Sequence, residues 1–160
     1  MIVIFGLGSN LGDREAHLRG AVKALQGLDP GLVLSSLFET EPVGGPPQGT
    51  YLNCAVRLET ELAPLALLSL AHRLEREAGR VRSVANGPRT LDVDLLVVGD
   101  VRRETPELTL PHPRMHERAF VLAPLEEIAP ELVPDGWRER LGGRARVDSE
   151  VRRLGNLVLG

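Results

Sequence analysis

Apolar and polar positions follow two periods along this chain, and the switches between them mark its elements. Residues 2–7 form a β-branched and apolar run that stops at Gly8-Ser9-Asn10, the pattern of a strand entering a turn. Asp13 then stands where a helix N-cap belongs. Leu18, Ala21, Val22 and Leu25 recur at i, i+3, i+4, i+7, with Gly27 at the far end. Glu15 and Arg19, four apart, offer an ion pair on the exposed side. Residues 32–38 read as a second strand. Between Thr40 and Thr50, the run of Pro42, Gly44, Gly45, Pro46, Pro47 and Gly49 permits only a loop. Over 51–60, Leu52, Cys54, Val56 and Leu58 alternate against Tyr51, Asn53, Ala55 and Arg57, as in a half-buried strand. Pro64 opens a second helix with Leu67, Leu70, Ala71 and Leu74 on one face, and Gly79 closes it. A polar loop over 80–89 leads into 91–98, the most apolar strand.

The order βαββαβ predicts a ferredoxin-like α+β sandwich, an antiparallel sheet with two helices on one face. After Asp100 the periods fade. Pro106, Pro111, Pro113, Pro124, Pro130 and Pro134 cut the tail into short pieces, with one helix expected over 119–128 and no readable element in the last 25 residues. Without an internal repeat or a low-complexity linker, residues 1–160 read as one domain, an irregular C-terminal extension included.

Composition narrows the function. A chain of 160 residues buries roughly two-thirds of its unfolded surface around a single core. A net charge of −3 argues against nucleic acid or an anionic membrane as partner, and an aromatic content of 3% leaves no base-stacking platform. No run of 18 apolar residues and no basic leader is present, so a cytoplasmic location is expected. Cys54, the single cysteine, forms no internal disulfide and reads as a small core residue. Of 19 basic residues only Lys23 is a lysine, so an arginine must be judged by its position.

The sharpest chemical signal is Asp92-Val93-Asp94 inside an apolar strand. Residues two apart share a strand face, so both carboxylates project together, about 7 Å apart at Cα. One reading is a polar face in water. The other is a ligand pair for Mg²⁺, because the same face continues with Leu96 and Val98, and a divalent cation offsets both repulsion and desolvation. Arg80, Arg82 and Arg89 in the preceding loop suit polyphosphate oxygens, and Arg118 joins from the tail. The Gly6-Leu7-Gly8-Ser9-Asn10-Leu11-Gly12 run departs from the dinucleotide fingerprint in its third glycine, and reads as a plain strand–turn–helix junction. No Gly-Lys-Ser/Thr phosphate loop exists. His112 and His116 have zinc spacing, but Pro113 interrupts a helix there. Asn53 shares a face with Tyr51. It is either a satisfied polar residue or a donor–acceptor pair for a heterocycle on which Phe120 stacks.

Seven segments occur in an order that resembles a known family. They are Gly6-Leu7-Gly8-Ser9-Asn10-Leu11-Gly12-Asp13, Glu39-Thr40-Glu41-Pro42-Val43-Gly44, Tyr51-Leu52-Asn53-Cys54-Ala55-Val56, Gly79-Arg80-Val81-Arg82, Gly87-Pro88-Arg89-Thr90-Leu91-Asp92-Val93-Asp94-Leu95-Leu96, Leu110-Pro111-His112-Pro113 and Arg118-Ala119-Phe120-Val121-Leu122-Ala123-Pro124-Leu125. Over about residues 2–135 the chain is similar to the 6-hydroxymethyl-7,8-dihydropterin pyrophosphokinases. That resemblance implies a ferredoxin-like fold and transfer of pyrophosphate from ATP to the pterin hydroxymethyl group, releasing AMP in folate biosynthesis. It implies two Mg²⁺ ions on Asp92 and Asp94, and a pterin site of Thr40, Pro42, Val43, Tyr51, Asn53 and Phe120. It also implies an ATP site of His72, Glu75, Arg80, Arg82, Arg89, Thr109, His112 and Arg118, with Arg80, Arg89 and Asp94 in catalysis. The chain departs from the family pattern in lacking a tryptophan before Gly87-Pro88-Arg89 and in carrying Pro113 after His112. The implied partners are the two substrates alone, and the oligomeric state is not legible.

Overall fold

The computed structural model describes residues 1–42, 45–79 and 90–159. Strand β1 (Ile2–Ser9) leads into α1 (Arg14–Gln26), β2 (Val33–Leu34), β3 (Leu37–Thr40), β4 (Tyr51–Glu59), α2 (Pro64–Glu77) and β5 (Asp92–Val98). A small hairpin, β6 (Arg103–Glu104) with β7 (Thr109–Leu110), precedes α3 (Ala119–Ile128), α4 (Trp137–Arg140), α5 (Arg144–Glu150) and β8 (Val151–Gly155). The main sheet runs β5–β1–β4–β3–β8 with every neighbouring pair antiparallel. Its first four strands form the expected ferredoxin-like sheet. No described helix is long and apolar enough to cross a membrane.

The helices form where capping and periodicity place them. Asp13 Oδ1 accepts the Ala16 amide at 3.1 Å, and Leu18, Ala21, Val22 and Leu25 are all buried. Pro64 opens α2, which is followed by Gly79 at φ +76°, a turn that favours glycine. Arg19 donates to the Val158 carbonyl at 2.9 Å, tying α1 to the end of the chain. The pairing with Glu15 that its spacing suggests is not its contact here.

Two cores hold the sheet, one on each face. Val3, Phe5 and Leu7 pack with Leu18 and Leu25 of α1 and Leu67 and Leu74 of α2. Ile4, Phe38, Ala55 and Leu96 pack with Leu122 and Leu125 of α3, Trp137 of α4 and Val147 of α5. The tail is therefore a third layer that also supplies an edge strand, where the sequence pattern alone shows one helix and no order beyond it. Its pieces are too short to display a period.

Two register shifts correct the strand expectations. The single strand expected over 32–38 is split at Ser35–Ser36, where the pairing to β4 steps by one residue. Ser35 Oγ accepts the Ala55 amide at 2.9 Å, and the Ser36 amide donates to Glu127 of α3 at 2.7 Å, so side chains take over as partners for both amides at the interruption. In β5, Phe5 faces Leu95 but Ile4 faces Val97. The extra residue puts Leu96 and Val97 both in the second core and returns Val98 to the first. Simple alternation assigned Val97 and Val98 the other way round. Asp92 and Asp94 lie before the shift and keep the face they share with Leu96.

Candidate active site

Three neighbouring strands bring the site together through their register. Gly8 of β1 stands opposite Asn53 on one side and Asp92 on the other, and Gly6 stands between Ala55 and Asp94. The central strand is bare at both positions. A Cβ on Gly8 would lie 2.6 Å from Asn53 Oδ1 and 3.5 Å from Tyr51 Cδ1. Gly6 and Gly8 belong to β1 and form a floor, which the reading of a plain turn junction did not anticipate.

Over this floor opens a cleft of about 1060 Å³. Thr40, Pro42, Tyr51, Asn53, Asp92, Asp94, His112, Arg118 and Phe120 all line it. At one end Asn53, 7% exposed, donates from Nδ2 to Thr40 Oγ1 at 2.6 Å. That bond fixes the amide and leaves Oδ1 on the Gly8 side. The Arg118 guanidinium sits 5.6 Å from the Phe120 ring centroid. This end offers an amide, a hydroxyl and two aromatic faces.

At the other end the cleft meets a second cavity of about 330 Å³. His72, Glu75 and Thr109 line only this one, while Asp92, Asp94 and His112 border both. Strand β5 is the outer strand of the sheet, so its outward backbone groups need partners. Glu75, buried at the end of α2, accepts the Val93 amide through Oε2 at 2.9 Å, and the His112 amide donates to the Leu96 carbonyl at 2.8 Å. Glu75 therefore braces the backbone between the two aspartates. His112 Nδ1 accepts the Arg114 amide at 3.2 Å, which leaves Nε2–H as the ring's donor in the neutral form. Burial, and then the cations of Arg118 and Arg114, lower the His112 pKa and favour that neutral form.

The carboxylate pair fits a hard cation. Asp92 and Asp94 are half-buried, on one strand face, at the wall shared by the two cavities. No group of three or more potential metal-binding side chains occurs among the described residues, so a cation held by this pair would need water or substrate oxygens for the rest of its shell, a set that suits Mg²⁺.

Val43 and Arg80, Arg82 and Arg89 lie outside the described residues. The structure adds Arg114, Arg146 and Glu150 to the cleft lining. Arg146 and Glu150 come from the part of the tail that has no sequence period, so no signal marked them. Cys54 borders the cleft but is buried in the first core, and burial pushes its thiol pKa up to about 12, as suits a core residue.

The antiparallel ferredoxin-like sheet and a cleft lined by an amide, two aromatic rings and a carboxylate pair define a protein that can hold a small polar ligand beside a cation. Residues 4–130 match the model of the 7,8-dihydro-6-hydroxymethylpterin-pyrophosphokinase family. The chain is 48% identical over 155 residues to the 2-amino-4-hydroxy-6-hydroxymethyldihydropteridine pyrophosphokinase of Bacillus subtilis, covering 96% of this chain and 89% of that one. To the enzyme of the same name from Methylorubrum extorquens it is 45% identical, over 82% of this chain and 84% of the other. To that of Pseudomonas aeruginosa it is 41% identical, over 84% and 85%. The chain belongs to the 7,8-dihydro-6-hydroxymethylpterin-pyrophosphokinase family.

Proposed function

We propose that this protein transfers the pyrophosphoryl group of ATP to the 6-hydroxymethyl group of 6-hydroxymethyl-7,8-dihydropterin, giving the pterin diphosphate and AMP for folate synthesis. The observation that carries this reading, beside the family match, is the row Asn53–Gly8–Asp92. It sets a heterocycle-reading amide and a cation-binding carboxylate on either side of a bare strand, in one cleft.

Asn53, held by Thr40, reads the donor–acceptor edge of the pterin, with Tyr51 and Phe120 beside the ring and Pro42 and Val43 closing over it. His72, Glu75, Thr109, His112 and Arg118 receive the nucleotide. Asp92 and Asp94 would hold Mg²⁺, two ions in this reading, and the metal when bound would supply neutralisation of polyphosphate charge and Lewis-acid activation of phosphorus. The hydroxymethyl oxygen attacks the β-phosphorus in line. The new O–P bond forms as the bridge to the α-phosphate breaks, AMP leaves with the electron pair, and the hydroxyl proton is released to water. Arg80 and Arg89 are assigned to the transferring group as charge develops, and Arg82 to the polyphosphate with them.

Nucleotide products tested with ATP, Mg²⁺ and the pterin check the reading. AMP formed only when pterin and metal are both present supports it. ADP identifies an ordinary kinase, and absence of turnover by folded protein refutes it. Asp94→Ala is expected to abolish transfer while the melting curve stays cooperative; a fully active variant removes Asp94 from the mechanism.

A further inference from the structure

One charged cluster plays no part in the scheme above, and it lies where the tail meets the pterin end of the cleft. On β3, Thr40 faces the cleft and Glu39, its neighbour, faces the other way. Glu39 Oε1 accepts Arg152 Nη2 at 2.9 Å, and Glu39 Oε2 accepts Thr50 Oγ1 at 3.1 Å. Arg14 Nη1 donates to both the carbonyl and the hydroxyl of Thr50 at 3.0 Å and lies 3.5 Å from Glu39. Arg152 Nη1 donates to the Ser149 carbonyl at 3.1 Å and reaches within 3.5 Å of Glu41. The Glu41 amide donates to the Glu150 carbonyl at 3.2 Å, which extends the pairing of β3 with β8 by one residue.

Glu39 and Glu41 flank the start of the loop that carries Pro42, and Thr50 is its last residue before β4. A single carboxylate thus joins both ends of that loop, and the guanidinium of Arg152 holds the carboxylate ionised against the first end. We propose that Arg152, on the C-terminal strand, is a positioning residue for the pterin pocket. Its pull on Glu39 and Glu41 fixes the backbone at Thr40, whose hydroxyl in turn orients the Asn53 amide at 2.6 Å. The inference rests on the functional reading above. It predicts an effect confined to one substrate, because Arg152 lies on β8 and Asp92 and Asp94 on β5, at opposite edges of the sheet with three strands between them.

The experiment is steady-state kinetics of the full chain with Arg152→Ala, Arg152→Lys and Glu39→Gln, each checked by thermal melting. For Arg152→Ala the pterin KM rises about tenfold while the ATP KM stays within about twofold, a split that general loss of stability does not produce. Arg152→Lys recovers part of the loss, since an ammonium keeps the charge without the two-pronged geometry. Arg152→Ala combined with Glu39→Gln costs less than the sum of the two single changes, because they share the Arg152–Glu39 link while each also has contacts of its own. A pterin KM unchanged in Arg152→Ala, or equal rises for both substrates, overturns the proposal. Should Arg152→Ala fail to fold, Arg152→Lys and Glu39→Gln decide by the same split. Failure of the unaltered chain to turn over indicts the functional reading; normal turnover with an unchanged pterin KM in the variants indicts this inference alone.

Discussion

At the scale of single residues, Gly8 shows how a site can depend on an atom that is not there. Its hydrogen leaves space that Asn53 Oδ1 fills, and a methyl at 2.6 Å cannot coexist with that oxygen. Gly8→Ala is therefore expected to turn the Asn53 amide and raise the pterin KM by about tenfold or more, with the melting temperature lowered by only a few degrees. Kinetics and a thermal melt check this, and a pterin KM equal to the parent's would disprove it. His112 permits a second test. Burial and two neighbouring guanidiniums lower its pKa, so an NMR titration is expected to place its midpoint below the ordinary 6.5. Its folded-state pKa lies below the unfolded value, so the associated stability is full above pH 6.5 and declines as pH falls beneath it. A midpoint at or above 6.5 would mean that the acidic wall governs the ring. Asp92, Asp94 and Asn53 were legible in the sequence because a polar residue on an apolar strand advertises its face. Gly8 was not, since a glycine's purpose is visible only in what stands opposite it.

Elements were legible in proportion to their length. Helix α1 announces itself through Asp13 and four apolar positions that are all buried, and α3 occupies residues 119–128 as the pattern predicts. The 35–36 interruption and the extra residue in β5 escaped, because a hydroxyl replacing a backbone partner, or a one-residue slip, leaves the composition of a strand unchanged. Glu126 ties α3 to α4. Its carboxylate accepts Arg138 at 3.0 and 3.2 Å and Trp137 Nε1 at 2.9 Å, and chiefly the Arg138 guanidinium holds its pKa below the usual value. A depressed carboxylate pKa gives stability that is present above the unfolded value of 4.5 and lost as pH falls through the folded one. Glu126→Gln is expected to lower the melting temperature at pH 7 by about 2–4 °C, the shift for roughly 1 kcal/mol in a chain of this size. Melts from pH 7 to pH 3 check it. The gap between parent and variant must narrow as the pH passes below 4.5, and a constant gap would assign the loss to packing rather than charge.

At the scale of the molecule, the match to residues 4–130 ends before the part that completes the second face. Beyond it, Trp137, Val147 and Val151 enter the core beneath α3, Leu157 enters the core under α1 and α2, and β8 covers the open edge of β3. Burying these four side chains contributes roughly 6–12 kcal/mol as an upper bound, comparable with the whole stability of an ordinary domain. The strand order that defines the fold was readable from β1 to β5. This closing layer was not, although the fold depends on it, because short pieces between glycines and prolines carry no period. A chain ending at Leu132 is therefore expected to lose its cooperative melt and to associate through the bared edge of β3 and the exposed second core. Calorimetry and size-exclusion chromatography measure both. A truncated chain that stays monomeric and melts cooperatively near the parent's temperature would make the tail an accessory to the pterin pocket. Loss of the melt, with Arg152→Ala still folded, would give the same strand two separable duties, closing the sheet and holding the loop over the substrate.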